Sequence, residues 1–421
     1  MLKAPGHTRP LFKLQSINLL IAVCICGSPS IRAQKGIAPT DPFYPEQISF
    51  HGSGNETIND QSYRPSSHEY QVNPTATLDI ERAWAITTGS KGIVVAIVDD
   101  GFCYDMPDVR DNLWHNPGES GLDSFGFPKE TNGKDDDGNG YKDDVIGWDF
   151  VFNTADPTCY VFDGMDRTRI APYWHSLHAM GIIGAKGNNG IGIAGINWNV
   201  SMMLLRIGVQ GVSRGDEMQS RNLDHMIQAI RYAADNGARV LNISYIIRGA
   251  SAKEISNLKD AISYAARRNL LIVVAAGNDK QDLDDDSHCG VFPQCLEAPN
   301  LVKVAESDLS GGLYKSAPPW VAGSNYGRRR VEIAAIGSNY TTGILNGMPI
   351  YEITGGTSNA APVVSGVAAL MLSVNSSLTA AKLKELLMQN VTPIPALRDK
   401  VTSGGVINAY RSVLAASAER N

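Results

Sequence analysis

A chain of 421 residues, 43% apolar and 19% charged, can bury a sizeable core, which excludes a disordered or fibrous protein. Its formal charge of −6 argues against nucleic acid as a partner. Residues 1–33 place basic Lys3, Arg9 and Lys13 before the apolar run INLLIAVCICG and then small residues leading to SIRAQ, the order of a secretory signal peptide. The run is too short to span a bilayer. Its removal takes away four basic residues and no acid, so the charge falls to −10. The exported chain then holds Cys103, Cys159, Cys289 and Cys295, an even number suited to an oxidising compartment. Closeness within CGVFPQC favours Cys289 with Cys295 and leaves Cys103 with Cys159, free thiols being the alternative.

Residues 34–75 are rich in Pro, Ser, Gly and Asn without a sustained apolar period, and read as a linker or short pro-segment. From LDIERAW onward the pattern is that of one large domain, residues 76–415, followed by a tail over 416–421. GIVVAIVDDG is a β-branched run ending in acids and glycine, as in a buried parallel strand. DDDGNGYKDDVI follows at Asp135. Counted from there, it offers Asp135, Asp137 and Asn139 at positions one, three and five. Gly140 stands at the turn, the Tyr141 carbonyl at seven and Asp143 at nine, which is calcium-loop spacing. Position twelve is Ile146, so a further ligand such as Asp144 must come from nearby; a solvated acidic turn is the alternative.

YWHSLHAMG sets His175 and His178 three residues apart, close enough on a helix to share a metal, but the third ligand and the His-Glu-x-x-His pattern of a zinc site are missing. GIGIAG, at Gly190 to Gly195, fits a dinucleotide fingerprint in letters only. It follows a helix and leads into a strand, the reverse of what that motif requires, so no organic cofactor is expected. LDHMIQAIRYAADNG spaces Leu223, Met226, Ile227 and Ile230 as a helix ending at Gly237, and ARVLNISYII reads as the next strand. Ser251 and Glu254 have capping-box spacing before a helix that buries Leu258, Ala261, Ile262 and Ala265, and LLIVVAAGN is strand then loop. This alternation predicts an α/β fold, a doubly wound and mainly parallel sheet flanked by helices, with the site at the carboxyl ends of strands.

At such a junction lies GGTSNAAPVVSG. Ser358 opens a long apolar helix where unpaired N–H groups favour developing negative charge, and Pro362 falls in about the first turn, where a missing donor costs least. Taken with IVDDG, HSLHAMGIIGA and VVAAGND, in that order, the segment resembles the subtilisin-like serine proteases, the subtilases, over about Leu78 to Leu414. GNNGIGIAGINWNV, VLNIS, SNYG and SGGVINAY carry the resemblance further. It implies a triad of Asp99, His175 and Ser358, in the chain order of subtilisin. The chemistry requires these types: a serine hydroxyl is a poor nucleophile at neutral pH and needs an imidazole base, whose tautomer a buried carboxylate holds. The resemblance also implies Asn278 as an oxyanion-hole amide, and Ser244, Tyr245, Ile246, Ala276 and Gly277 as substrate-binding residues.

A calcium site is implied as well, through Asp108, the Asn189 side chain and the carbonyls of Gly187, Ile191 and Ile193. The family's His-Gly-Thr-His-Val-Ala-Gly is here His175, Ser176, Leu177, His178, Ala179, Met180 and Gly181, and Tyr245 and Ile246 follow Ser244 where Leu-Gly or Trp-Gly is usual. The expectation is therefore a monomeric, secreted serine endopeptidase acting on proteins or peptides, with structural calcium and no membrane span. A catalytically impaired binding module is the first alternative, and an acyl hydrolase or peptide-cyclising transferase on the same triad the second.

Overall fold

The structure, a computed structural model, describes residue 1 and residues 35–419 apart from 53, 61–65, 160–174, 209–215, 316–321 and 346–347; the signal-peptide reading lies outside them. Eleven strands matter for the site: β1 (Gly89–Asp99), β2 (Gly147–Asp149), β3 (Asn199–Arg206), β4 (Val240–Ile243), β5 (Leu271–Ala275), β6 (Leu301–Ser307), β7 (Ile333–Ile336), β8 (Asn339–Leu345), β9 (Met348–Thr354), β10 (Thr392–Pro393) and β11 (Gly405–Val406). Nine of them form one sheet in the order β10-β11-β7-β6-β5-β4-β1-β3-β2, parallel except for the β10–β11 pair at one edge, while β8 and β9 make a separate hairpin.

Both faces of the sheet are covered, and the two-residue period of a strand decides which residue meets which layer. Val95 and Ile97 of β1 join a core with α1 (His175–Gly184) and α4 (Thr357–Val374); Ala96 and Val98 join another with α2 (Asp216–Asp235) and α3 (Ala252–Arg267). Asp99 continues the first set and so projects toward α1 and α4. Helix α4 is long and apolar enough to cross a membrane, but 83% of it is buried inside the protein as the central core helix. The capping box of Ser251 and Glu254 starts α3, which buries Leu258, Ala261, Ile262 and Ala265. In α2, Leu223, Met226 and Ile230 are buried and Ile227 half-buried.

Two local expectations change. ARVLNISYII is not one strand: β4 stops at Ile243, and Ile247–Arg248 pairs instead with Val291–Phe292. Pro362 lies in the second turn of α4, since the helix starts at Thr357. The stretch read as a linker or short pro-segment carries structure: a helix over Ile48–His51 buries Ile48, Ser49 and Phe50, and the Gln47 amide exchanges two hydrogen bonds, 2.8 and 2.9 Å, with the Ala194 backbone. Too short to display an apolar period, this piece is held by non-local partners. Cys103 pairs with Cys159 and Cys289 with Cys295.

Candidate active site

The carboxyl end of β1 delivers Asp99, only 2% exposed, and the first residue of α1 delivers His175. His175 Nδ1 lies 2.8 Å from Asp99 Oδ2, while Asp99 Oδ1 accepts the Asp100 N–H at 2.8 Å. The carboxylate is thus held at both oxygens, and it fixes Nδ1 as the protonated nitrogen. Burial works against the imidazolium, but Asp99, by charge and hydrogen bond, and Asp100 outweigh it and hold the histidine above its usual pKa. Ser176 and Leu177, the larger residues after His175, are accommodated in the core. His178 faces Glu352 of β9, Nε2 to Oε1 3.6 Å, and burial lowers its pKa more than Glu352 raises it. The two histidines therefore have different side-chain partners.

Ser358 is the second residue of α4, whose N-cap is Gly356 at φ 114°, a conformation that suits glycine. Two neighbours define the turn. Asn278, just beyond β5, accepts the Thr357 N–H and the Thr357 hydroxyl on Oδ1, each at 2.9 Å, and Thr357 Oγ1 accepts the Gly277 N–H at 3.0 Å. A backbone N–H can only donate, so it fixes the amide orientation with Oδ1 toward Thr357. A Cβ at Gly356 would lie 3.6 Å from Asn278 Nδ2 and 3.9 Å from the Ser358 N, so both donors border one space.

Pro362 explains a further contact. Having no N–H, it cannot bond the Ser358 carbonyl four residues back; the Ser244 hydroxyl donates to that oxygen instead, at 2.9 Å, and itself accepts from Asn242 at 3.1 Å. β4 ends at Ile243, and Ser244, just beyond it, ties that strand end to α4. Beyond it, the Tyr245 hydroxyl accepts from Asn222 at 2.7 Å, Ala276 is buried, and a Cβ on Gly277 would meet Ile246 at 3.0 Å.

The proposed metal ligands sort into two groups. Asp108 is buried, its carboxylate accepting from Asn189 Nδ2 at 3.1 Å and the Ile193 N–H at 3.0 Å. Asp41, unremarked in the sequence because it lies in the supposed linker, enters the same loop and accepts the N–H groups of Asn188 and Asn189 at 2.7 and 3.0 Å. Burial raises both carboxyls, Asp108 to about 7 with a contribution from Asp41. Ile191 is exposed, and Gly187 stacks against Trp198. In the acidic loop, Asp135 accepts the N–H groups of Gly138, Asn139 and Gly140, Asn139 Oδ1 accepts that of Tyr141, and Asp143 accepts that of Gly133. Tyr141 packs on Trp148, Phe150 and Tyr232. Asp137 instead gathers with Asp144 and Glu119, their ligand oxygens within 4.8 Å of one another. Glu119 Oε2 is buried with no hydrogen-bond partner among the described residues, an orphaned acceptor facing two acids, as an oxygen-binding cation would require. Glu119 stands 16 residues before Asp135, outside any loop-spacing rule.

Comparison with known proteins identifies the family and the fold. Subtilisin-like protease 1 of Plasmodium vivax is 30% identical over 332 residues, covering 76% of this chain and 46% of that protein. The extracellular basic protease of Dichelobacter nodosus is 28% identical over 378 residues, covering 86% and 57% respectively. This chain spans about half the length of such curated relatives. Among solved structures, a protease of Pseudoalteromonas arctica PAMC 21717 shares the fold with a TM-score of 0.63 at 23% identity, covering 90% of this chain and 100% of that one. Fervidolysin from Fervidobacterium pennivorans does so with 0.58 at 23% identity, covering 79% and 44%. The model of the subtilase family matches residues 90–411, a span that takes in Asp99, His175, Asn278 and Ser358, and the chain belongs to that family.

Proposed function

We propose that this chain is an exported serine endopeptidase that cleaves peptide bonds through an acyl-enzyme on Ser358. The observation that carries the reading is the Asp99–His175 hydrogen bond at the strand ends beside the N-terminus of α4. His175 takes the Ser358 proton as the oxygen attacks the carbonyl carbon, and Asp99 stabilises the imidazolium that results. Negative charge moves to the carbonyl oxygen, where Asn278 Nδ2 and the Ser358 N–H receive it. The protonated histidine then gives its proton to the leaving amine, and water releases the acyl group by the same route. Because His175 must be neutral to act, activity rises as pH passes its elevated pKa. A fluorophosphonate that labels the folded wild type and spares Ser358→Ala supports the reading; a folded wild type left unlabelled refutes it in favour of a binding module.

Substrate approaches between the Ser244–Ile246 segment and Ala276–Gly277. Tyr245 and Ile246 narrow this cleft, which favours small or apolar side chains; a peptide library cleaved after lysine or arginine would contradict that preference. Two groups of acids, the buried pair Asp41 with Asp108 and the buried Glu119 and Asp144 with the exposed Asp137, fit calcium. An ion there supplies charge neutralisation and no bond chemistry. Export is supported by the two disulfides and the N-terminal pattern.

A further inference from the structure

Glu306 lies near the end of β6, and its side chain runs underneath the nucleophile turn, far from water; the strand's other charged residue, Lys303, is buried and pairs with Glu332 at 3.5 Å. The residue is fully buried. Its backbone is fixed on both sides: the N–H donates to the Ser324 hydroxyl at 2.8 Å, the carbonyl accepts the Tyr314 N–H at 3.0 Å, and it pairs with Ala335 of β7. Its Oε1 accepts the Gly356 N–H at 2.9 Å, whereas Oε2 has no hydrogen-bond partner among the described residues. Two glycines make the slot. A Cβ on Gly337 would come within 2.5 Å of Oε1, and one on Gly355 within 3.3 Å.

Three successive amides are therefore treated differently. Gly356 N–H goes back to Glu306, Thr357 N–H goes sideways to Asn278, and the next, that of Ser358, borders the space where Asn278 Nδ2 also points. We infer that Glu306 is a positioning residue for Ser358: its buried carboxyl anchors the Gly355–Gly356 turn from behind and so aims both the hydroxyl and the N–H of the nucleophile. The inference rests on the protease reading above.

A carboxyl in this place does more than a neutral acceptor would. Burial lifts it to about 8, with Asp308 adding to the rise and the Gly356 hydrogen bond opposing it. Asp308, on the same strand end, is the charge that acts on it. The first turn of α4 has no acid, β7 is Ile-Ala-Ala-Ile, and Ala276, Gly277, Asn278, Ser324 and Ser338 are neutral. Below its pKa Glu306 anchors the turn as a neutral acid. Above it, a negative charge stands behind the amides that must stabilise an oxyanion, and the two repel in a medium of low dielectric. Activity accordingly has two limbs, rising with loss of the His175 proton and falling with loss of the Glu306 proton.

The test uses the full chain as wild type, Glu306→Gln, Glu306→Leu and Gly337→Ala. It measures kcat and KM on a fluorogenic peptide and the rate of fluorophosphonate labelling from about pH 6 to about pH 10. Glu306→Leu, which leaves the Gly356 N–H without an acceptor, is expected to lose roughly 10- to 100-fold in kcat with little change in KM. Glu306→Gln keeps an acceptor, recovers most of that loss and abolishes the alkaline decline. Gly337→Ala, which pushes the carboxyl aside, falls between them. An alkaline limb unchanged in Glu306→Gln, or a wild-type kcat in folded Glu306→Leu, overturns the inference; should Leu fail to fold, the Gln profile decides alone. A folded wild type that is never labelled overturns the protease reading, and this inference with it.

Discussion

Two groups of acids in this molecule are handled in opposite ways. At the strand ends, Asp99 is surrounded by donors the protein itself supplies, the His175 ring and the Asp100 N–H. Around residues 116–144, Glu119, Asp137 and Asp144 face one another with amide donors such as Asn116 and no cationic side chain in the group, and burial raises Glu119 and Asp144. A carboxylate that must act on a neighbour is given that neighbour in the fold. One that serves to tie loops together can be left for an ion, because the ion's charge outweighs what a few amides can offer. The comparison is sharpest where the two kinds of site respond to different perturbations.

Ser358→Ala should have the largest effect, a loss of roughly 10⁶-fold in kcat, with Asp99→Asn costing about 10⁴-fold by fixing the wrong His175 tautomer. Both are read on a peptide substrate, and neither should move the melting point by more than a few degrees, which separates catalysis from ion-dependent stability. Asn278→Ala is expected to cost about 10²–10³-fold in kcat, the loss known for the corresponding amide in a subtilisin, a member of this same family, with KM little changed. A KM effect of the same size would mean that the amide binds ground-state substrate.

Stability tests address the ties between loops elsewhere in the fold. Replacing Cys103, which closes a loop of 56 residues, should destabilise by about 4 kcal/mol, against about 2 kcal/mol for Cys289 with its separation of 6, by chain entropy alone. Denaturant melts of the two serine variants give the ratio, and equal losses would put the stabilisation elsewhere than in loop closure.

A chelator should lower the melting point, since an ion at about 100 times its Kd contributes roughly 2.7 kcal/mol. The pH dependence gives the sign. Asp108 has a folded pKa raised to about 7, so without an ion the folded state holds a proton that the unfolded state has lost. Stability in chelator therefore falls as pH rises from about 4 to about 7, and calcium restores it most at the upper end. Chelator melts that do not depend on pH would count against an ion at Asp108. The smallest effect belongs to Ser244→Ala. It leaves the Ser358 carbonyl without its donor and should cost about 1 kcal/mol in a thermal melt.

Much of the site was legible in the chain because its pieces are local. IVDDG at a strand end, HSLHAMG opening a helix, AGN after a strand and GGTS before a helix each carry a turn geometry that few residues satisfy. The capping box at Ser251 and the parallel-strand runs are local in the same sense. Glu306, Asp41 and Glu119 were not legible. Each is an ordinary acid in sequence and becomes informative only through what lies 50, 147 and 18 residues away, at Gly356, Asn188 and Asp137. The sequence by itself determined the alternation of strands and helices, the order of the candidate triad and the even count of cysteines after residue 33, since periodicity, capping and turn chemistry act over a few residues. Tertiary structure alone decided which carboxyls are buried and against what, because desolvation and ion pairing depend on distances that chain spacing does not encode.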